Sequence, residues 1–156
     1  MKSEHKRYLE QYTSTLTKQQ LQEIPDAIAE YFCADEFNAN ECARLVKAGV
    51  KRASCSLKAA YEVEQESLPE VGRLTVVLDW DENPVCIVRL TEVSCCPFNL
   101  VPEEFAHLEG EGDGSYQWWY KAHLKFFTDY AKSIGREFSL NDELVLERFE
   151  KVYPEG

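Results

Sequence analysis

Between Arg44 and Lys58 the chain carries five bases (Arg44, Lys47, Lys51, Arg52 and Lys58) and no acid, within a sequence whose formal net charge is −11. A basic island in an acidic chain can focus a local field on a small anionic or polar ligand, although most charge runs are solvated helix faces. Inside the island Lys51 and Ser54 stand three residues apart. Taken alone, that spacing reads as a solvated lysine and a strand serine. Residues three apart on a regular strand point to opposite faces. The two side chains can therefore meet only if Lys51 lies in a turn after Gly49, or if a bulge intervenes.

Other residue types could also do chemistry. There are six cysteines (Cys33, Cys42, Cys55, Cys86, Cys95 and Cys96) but no C-x-x-C pair, and only three histidines accompany them. Structural zinc sites favour paired ligands at short spacing, so no metal is expected and the cysteines read as reduced, mostly buried thiols. His107 and His123 stand isolated and read as surface or core residues. Gly110–Gly114 is glycine-rich, but Glu111 and Asp113 would repel a phosphate and no G-K-[ST] follows. It reads as a loop that presents Glu109. Trp118, Trp119 and Tyr120 cannot all face one core, so one ring could stack on a base.

These residues must be positioned by a single domain. A chain of 156 residues can bury roughly 70% of its unfolded surface and needs no staples. No apolar run approaches the roughly 20 residues of a membrane span, and the polar start MKSEHKRYLEQYTS lacks a signal-peptide centre, so the cytoplasm is the expected location. The net charge disfavours avid non-specific binding of nucleic acid.

Helical spacing of Tyr8, Leu9, Tyr12 and Leu16 predicts an N-terminal amphipathic helix. A short strand is expected over Ala29–Cys33. A helix capped by Asn38 or Asn40 should follow, burying Cys42, Leu45 and Val46 and closing at Gly49. Strands are expected at Lys51–Leu57, Arg73–Trp80, Val85–Val93 and Leu144–Val152, the middle pair forming a hairpin. A short helix is expected over Pro102–Leu108. A long one, capped by Ser115, should run to Ile134 with Trp119, Ala122, Phe126, Tyr130 and Ile134 on its buried stripe. Strands and helices do not alternate regularly, so the class is α+β.

Three stretches, taken in order, resemble the ASCH family in its longer bacterial form. They are Ala48–Ser56 (AGVKRASCS, similar to a G-x-K-x-x-T/S loop-to-strand motif), Phe105–Asp113 with Ser115 and Trp119, and Ile134–Phe138. The resemblance implies a PUA-like small β-barrel flanked by helices. Residues 1–28 would be an N-terminal helical extension and 29–156 the ASCH domain. It further implies a cleft for a nucleoside or RNA, without a cofactor. Some short members are amidohydrolases that deacetylate acetylcytidine, others are reported ribonucleases, and a non-catalytic RNA-binding module is a third alternative. The catalytic lysine, threonine and glutamate of the short amidohydrolases fall on Lys51, Ser54 and Glu109. Arg52, Ser56 and Trp119 are the expected substrate-binding residues. Ser56 stands where the short enzymes carry an arginine, which departs from the acetylcytidine pattern.

Amide hydrolysis needs a nucleophile, a base and a donor for the oxyanion. Ser54 would attack the acyl carbon. Lysine titrates near 10.4, so making Lys51 the base would take roughly 5 kcal/mol of environmental bias. In the competing scheme Lys51 stays charged and steadies the oxyanion while Glu109 moves the proton. Sequence alone leaves both open.

Overall fold

A computed structural model describes residues 1–156. Helices α1 (Ser3–Thr13) and α2 (Lys18–Gln22) precede strand β1 (Ala27–Glu30) and helix α3 (Glu36–Lys47). Strand β2 (Ala53–Leu57) and helix α4 (Lys58–Glu64) lead into the hairpin of β3 (Leu74–Leu78) and β4 (Pro84–Pro97). Helices α5 (Glu103–Glu109) and α6 (Tyr116–Ser133) then lead to β5 (Glu143–Tyr153).

The strands form one mixed sheet in the order β1-β3-β4-β5-β2. β1 runs parallel to β3, and the other pairs are antiparallel. The small β-barrel that the resemblance implies is not closed: β1 and β2 are the two edges of the sheet and do not pair with each other. The long β4 instead pairs with β5 along most of its length. Register shifts at Ile87/Val88 and Leu90/Glu92 bend that pairing.

Packing explains why the strands read as they do. Leu74, Val76 and Leu78 on β3 join Ile87 in a cluster against Tyr8, Leu9 and Tyr12 of α1. Val77 faces the other way, with Cys86, Val88 and Phe149, against Ala43 and Val46 of α3. β3 is thus covered on both faces, and its sequence is a continuous apolar run rather than an alternating one. A third cluster joins Ala53, Leu57, Leu144 and Leu146 of the sheet to Phe98, Phe105, Trp119, Phe127 and Ala131.

Three local expectations shift. The first strand, expected over Ala29–Cys33, spans Ala27–Glu30. The α3 cap is Asp35, whose carboxylate accepts the Asn38 backbone N–H at 2.9 Å. Asn38 and Asn40 fall inside the helix because an ionised carboxylate holds the first-turn N–H groups more strongly than an amide. The fully buried residues of α6 are Trp119, Phe127 and Ala131. Of the expected stripe, Trp119, Tyr130 and Ile134 pack on the core, Ala122 is half-buried and Phe126 is not buried. Phe126 is 43% exposed, because the sheet covers only one flank of the helix and leaves the other for a cavity.

Ser54 pairs in register with Glu147 of β5. Burial, then the like charge of Glu30, push Glu147 up to about 7. A carboxyl raised in this way opposes folding: stability falls as pH rises from about 4.5 to about 7, and the full penalty applies above. Glu147→Gln should therefore raise stability at pH 8 by on the order of 1–2 kcal/mol and flatten that part of the profile. Urea denaturation at pH 5 and pH 8 would measure the difference. An equal effect at both values contradicts the assignment.

Candidate nucleoside-binding site

The segment before β2 is fixed by its backbone. The N–H groups of Val50 and Lys51 both donate to Leu45 O, at the end of α3. The Arg52 N–H donates to Leu108 O at 2.7 Å, and Arg52 O accepts from the Phe149 N–H at 3.0 Å. Regular strand begins only at Ala53. Lys51 therefore occupies the turn after Gly49, and the strand-parity objection to its meeting Ser54 does not apply. The Arg52–Leu108 bond ties this turn to the last residues of α5, 56 positions later. Gly110 completes the junction with φ +64°, where a Cβ would lie 2.9 Å from Val50 O. Any side chain there would push Glu109 away from Lys51.

Lys51, Ser54 and Glu109 line one cavity of about 240 Å³. Phe32, Trp118, Phe126 and Phe127 supply aromatic wall, and Cys33, Asp35, Cys55, Glu111 and His123 also reach it. Arg52, Ser56 and Trp119 do not line it. Arg52 is exposed just before β2, and the Ser56 hydroxyl lies 3.0 Å from the Tyr61 hydroxyl. Trp119 is 1% exposed and serves the site indirectly, while its neighbour Trp118 presents a ring to the cavity. Gly112 lies directly beneath that ring, where a Cβ would clash. A larger polar cleft of about 520 Å³ near Lys58, Arg136 and Glu143 shares no residue with this cavity.

Charge organises the site. Lys51 is 2% exposed and donates to Glu111 Oε2 at 3.0 Å. Its ammonium also lies 5.8 Å from the Phe32 ring centroid. Burial alone would lower its pKa, but the carboxylates of Glu109 and Glu111 outweigh it and hold the amine above its ordinary value. Glu109 is 1% exposed. Its Oε2 accepts from Trp119 Nε1 at 2.6 Å and faces His123 Nε2 at 2.8 Å. Burial pushes this carboxyl up, yet Lys51 and His123 together bring it below the usual range. The other ring nitrogen of His123 lies 2.8 Å from Trp119 O. Both nitrogens therefore face acceptors, an arrangement that suits the imidazolium. Burial opposes that charge, and the Glu109 hydrogen bond and charge overcome it, raising the His123 pKa. Cys55 is pushed up by burial and by Glu109, so it sits as a neutral thiol.

Sequence reasoning set aside two of these residues. His123 was read as isolated, although it follows Trp119 by four positions and so shares its helix face. Glu111 was read only as a repulsive loop acid. Two groups have donor atoms close enough to hold a metal: Cys33, Cys42 and Glu111, and Cys55, Glu109 and His123, with the atoms of each group within 4.8 Å of one another. In the second group Glu109 and His123 already satisfy each other.

An open five-stranded mixed sheet with helices on its faces, and an aromatic-walled cavity at the junction of β2, α5 and α6, define a small PUA-like α+β domain. The chain belongs to the ASCH family, whose domain model matches residues 28–153. Its fold is similar to that of an ASCH domain from Lactobacillus crispatus JV V101, at 46% identity and a TM-score of 0.95, covering 99% of this chain and 97% of that one. It is also similar to a protein of Enterococcus faecalis V583, at 28% identity and a TM-score of 0.82, covering 97% and 90%. No curated protein matches the chain. No helix is long and apolar enough to cross a membrane.

Because the His123 pKa is raised above 6.5, its pairing with Glu109 contributes stability that is full below pH 6.5 and is lost as pH rises through the folded value. In Glu109→Gln the imidazole should titrate at lower pH, because its hydrogen bond and charge partner are gone, and the chain should lose about 3 kcal/mol through the broken buried pair. Histidine NMR titration with parallel denaturation measures both. An unmoved His123 titration contradicts the pairing.

Proposed function

We propose that this ASCH domain binds a nucleoside, or one base of an RNA, in the cavity beside Lys51, and that it hydrolyses an amide on an acylated base such as acetylcytidine. The observation that carries this reading is that Lys51, Ser54 and Glu109 line one cavity together with Phe32, Trp118, Phe126 and Phe127. A cavity of about 240 Å³ is below the roughly 300–1,000 Å³ of drug-sized sites, which suits a single base with a small acyl group. Trp118 and Phe126, both partly exposed at its edge, offer stacking surfaces.

The electrostatics favour one of the two schemes. Lys51 is held as the ammonium between two carboxylates, which makes it a poor base and a good donor to a developing oxyanion. The Ser54 hydroxyl, half-buried in the cavity wall, supplies the nucleophile. Its proton passes to the Glu109 carboxylate as the C–O bond forms, and the same carboxyl returns it to the departing amine as the C–N bond breaks, while the His123 imidazolium stays charged beside it. Water then cleaves the acyl-serine by the reverse proton path. Glu109 is held below the usual carboxylate range, so the step leans on the Lys51 charge that stabilises the oxyanion.

Cleavage of extended RNA is less favoured. Asp35, Glu109 and Glu111 outnumber Lys51 and His123 in the wall, and Arg52 is not part of it, so a phosphate backbone would meet net negative charge.

Purified protein incubated with acetylcytidine should release cytidine, followed by chromatography. Ser54→Ala, a change at a half-buried position, should fold normally and cut kcat by at least about 100-fold. Lys51→Met should cut it comparably. No cytidine from the unaltered protein, or equal rates in Ser54→Ala, refutes the amidohydrolase. Cytidine binding by calorimetry would then test the binding reading alone.

A further inference from the structure

We infer that Cys33 and Cys42 form a reversible disulfide-forming pair at the cavity wall, independently of the reaction proposed above. Their sulfurs lie 3.0 Å apart, closer than two thiols in ordinary van der Waals contact. Cys33 is an exposed residue midway between β1 and α3, whereas Cys42 is buried in the face of α3. Cys33 lines the cavity, through which an oxidant can approach, and its partner lies beside it. The chain holds Cys33 at φ +71°, a left-handed conformation uncommon for a residue with a Cβ. That geometry turns its side chain inward, toward α3. Both sulfurs face the same oxygen, Glu111 Oε1, at 3.8 Å from Cys33 and 3.3 Å from Cys42. The other oxygen of Glu111 is held by Lys51.

The same donor set could suggest zinc. Two thiolates on a tetrahedral zinc, each bonded at about 2.3 Å, stand about 3.8 Å apart. The observed separation is shorter, and the Lys51 ammonium already neutralises Glu111, so oxidation fits the arrangement better than coordination.

With a hydroperoxide as oxidant the step balances. Cys33 loses its proton, and its sulfur attacks one peroxide oxygen. The O–O bond breaks, hydroxide departs and takes up that proton as water, and Cys33 becomes a sulfenic acid. The Cys42 sulfur then attacks the Cys33 sulfur. The S–S bond forms, the S–O bond breaks, and the leaving hydroxide becomes water with the Cys42 proton, relayed by Glu111 Oε1. The two thiols give up two electrons and the peroxide takes two. The product links the Phe32–Asp35 wall of the cavity to α3 and removes the Cys42 thiol from Glu111.

The test treats the full chain with stoichiometric hydrogen peroxide, alkylates the remaining thiols, and maps peptides by mass without reduction. The expected result is a Cys33–Cys42 linked peptide, lost on adding dithiothreitol and formed at least about tenfold faster than in the denatured chain. Cys95, also exposed, provides the internal reference and should stay alkylatable. In Cys33→Ser, a change at an exposed position, Cys42 should remain a free thiol. Three results each overturn the proposal: Cys33 and Cys42 alkylated to the same extent as Cys95, Cys33 ending as sulfinic acid without a link, or purified protein carrying stoichiometric zinc.

Discussion

A lysine ammonium with 2% of its surface exposed can remain in a protein only if its charge is answered nearby. The cost of removing it from water otherwise amounts to several kcal/mol or more. Glu111 answers Lys51 directly and Glu109 at longer range. Glu109, itself buried, needs His123 and Trp119 in turn. Four charges thus form one set, and removing any member leaves another uncompensated. The backbone bond between Arg52 and Leu108, and the absence of a Cβ at Gly110, hold the two halves of the set within reach.

The set also shapes what the cavity can accept. Its charges largely cancel, so its field is one of fixed local dipoles rather than a strong net attraction. Such a surface can order a neutral polar ring through hydrogen bonds while the aromatic rings stack on its faces. It offers little to a polyanion. The basic island, prominent in the sequence, divides in space: Lys51 turns inward, and Arg44 pairs with Glu41 on the outer face of α3. Lys58 pairs with Glu143 well away from the cavity.

Local pattern carried much of the architecture. The amphipathic N-terminal helix, the β3–β4 hairpin, the α6 cap at Ser115 and the last strand follow from periodicity and turn chemistry within a few residues. The α+β class follows from their order, and the family follows from three short motifs read in sequence. Barrel closure did not follow, because whether β1 meets β2 depends on how far β4 bends. The buried stripe of α6 is rotated from the expected one, with Phe127 and Ala131 in place of Phe126 and Ala122, because a helix presents several apolar stripes and only the neighbouring sheet selects one.

The sequence by itself determined which segments are helix or strand, that the β3 segment is apolar and β-branched, and that Ser54 lies on a strand close to Lys51. Only the tertiary structure decided that Glu111 and His123 complete the charge set, that Trp118 rather than Trp119 faces the cavity, and that Lys51 is charged. It alone brought Cys33 against Cys42. The reason is physical: hydrogen-bonded periodicity acts over a few residues along the chain. Electrostatic compensation acts over a few ångströms in space, between groups whose separation in sequence says nothing about their distance.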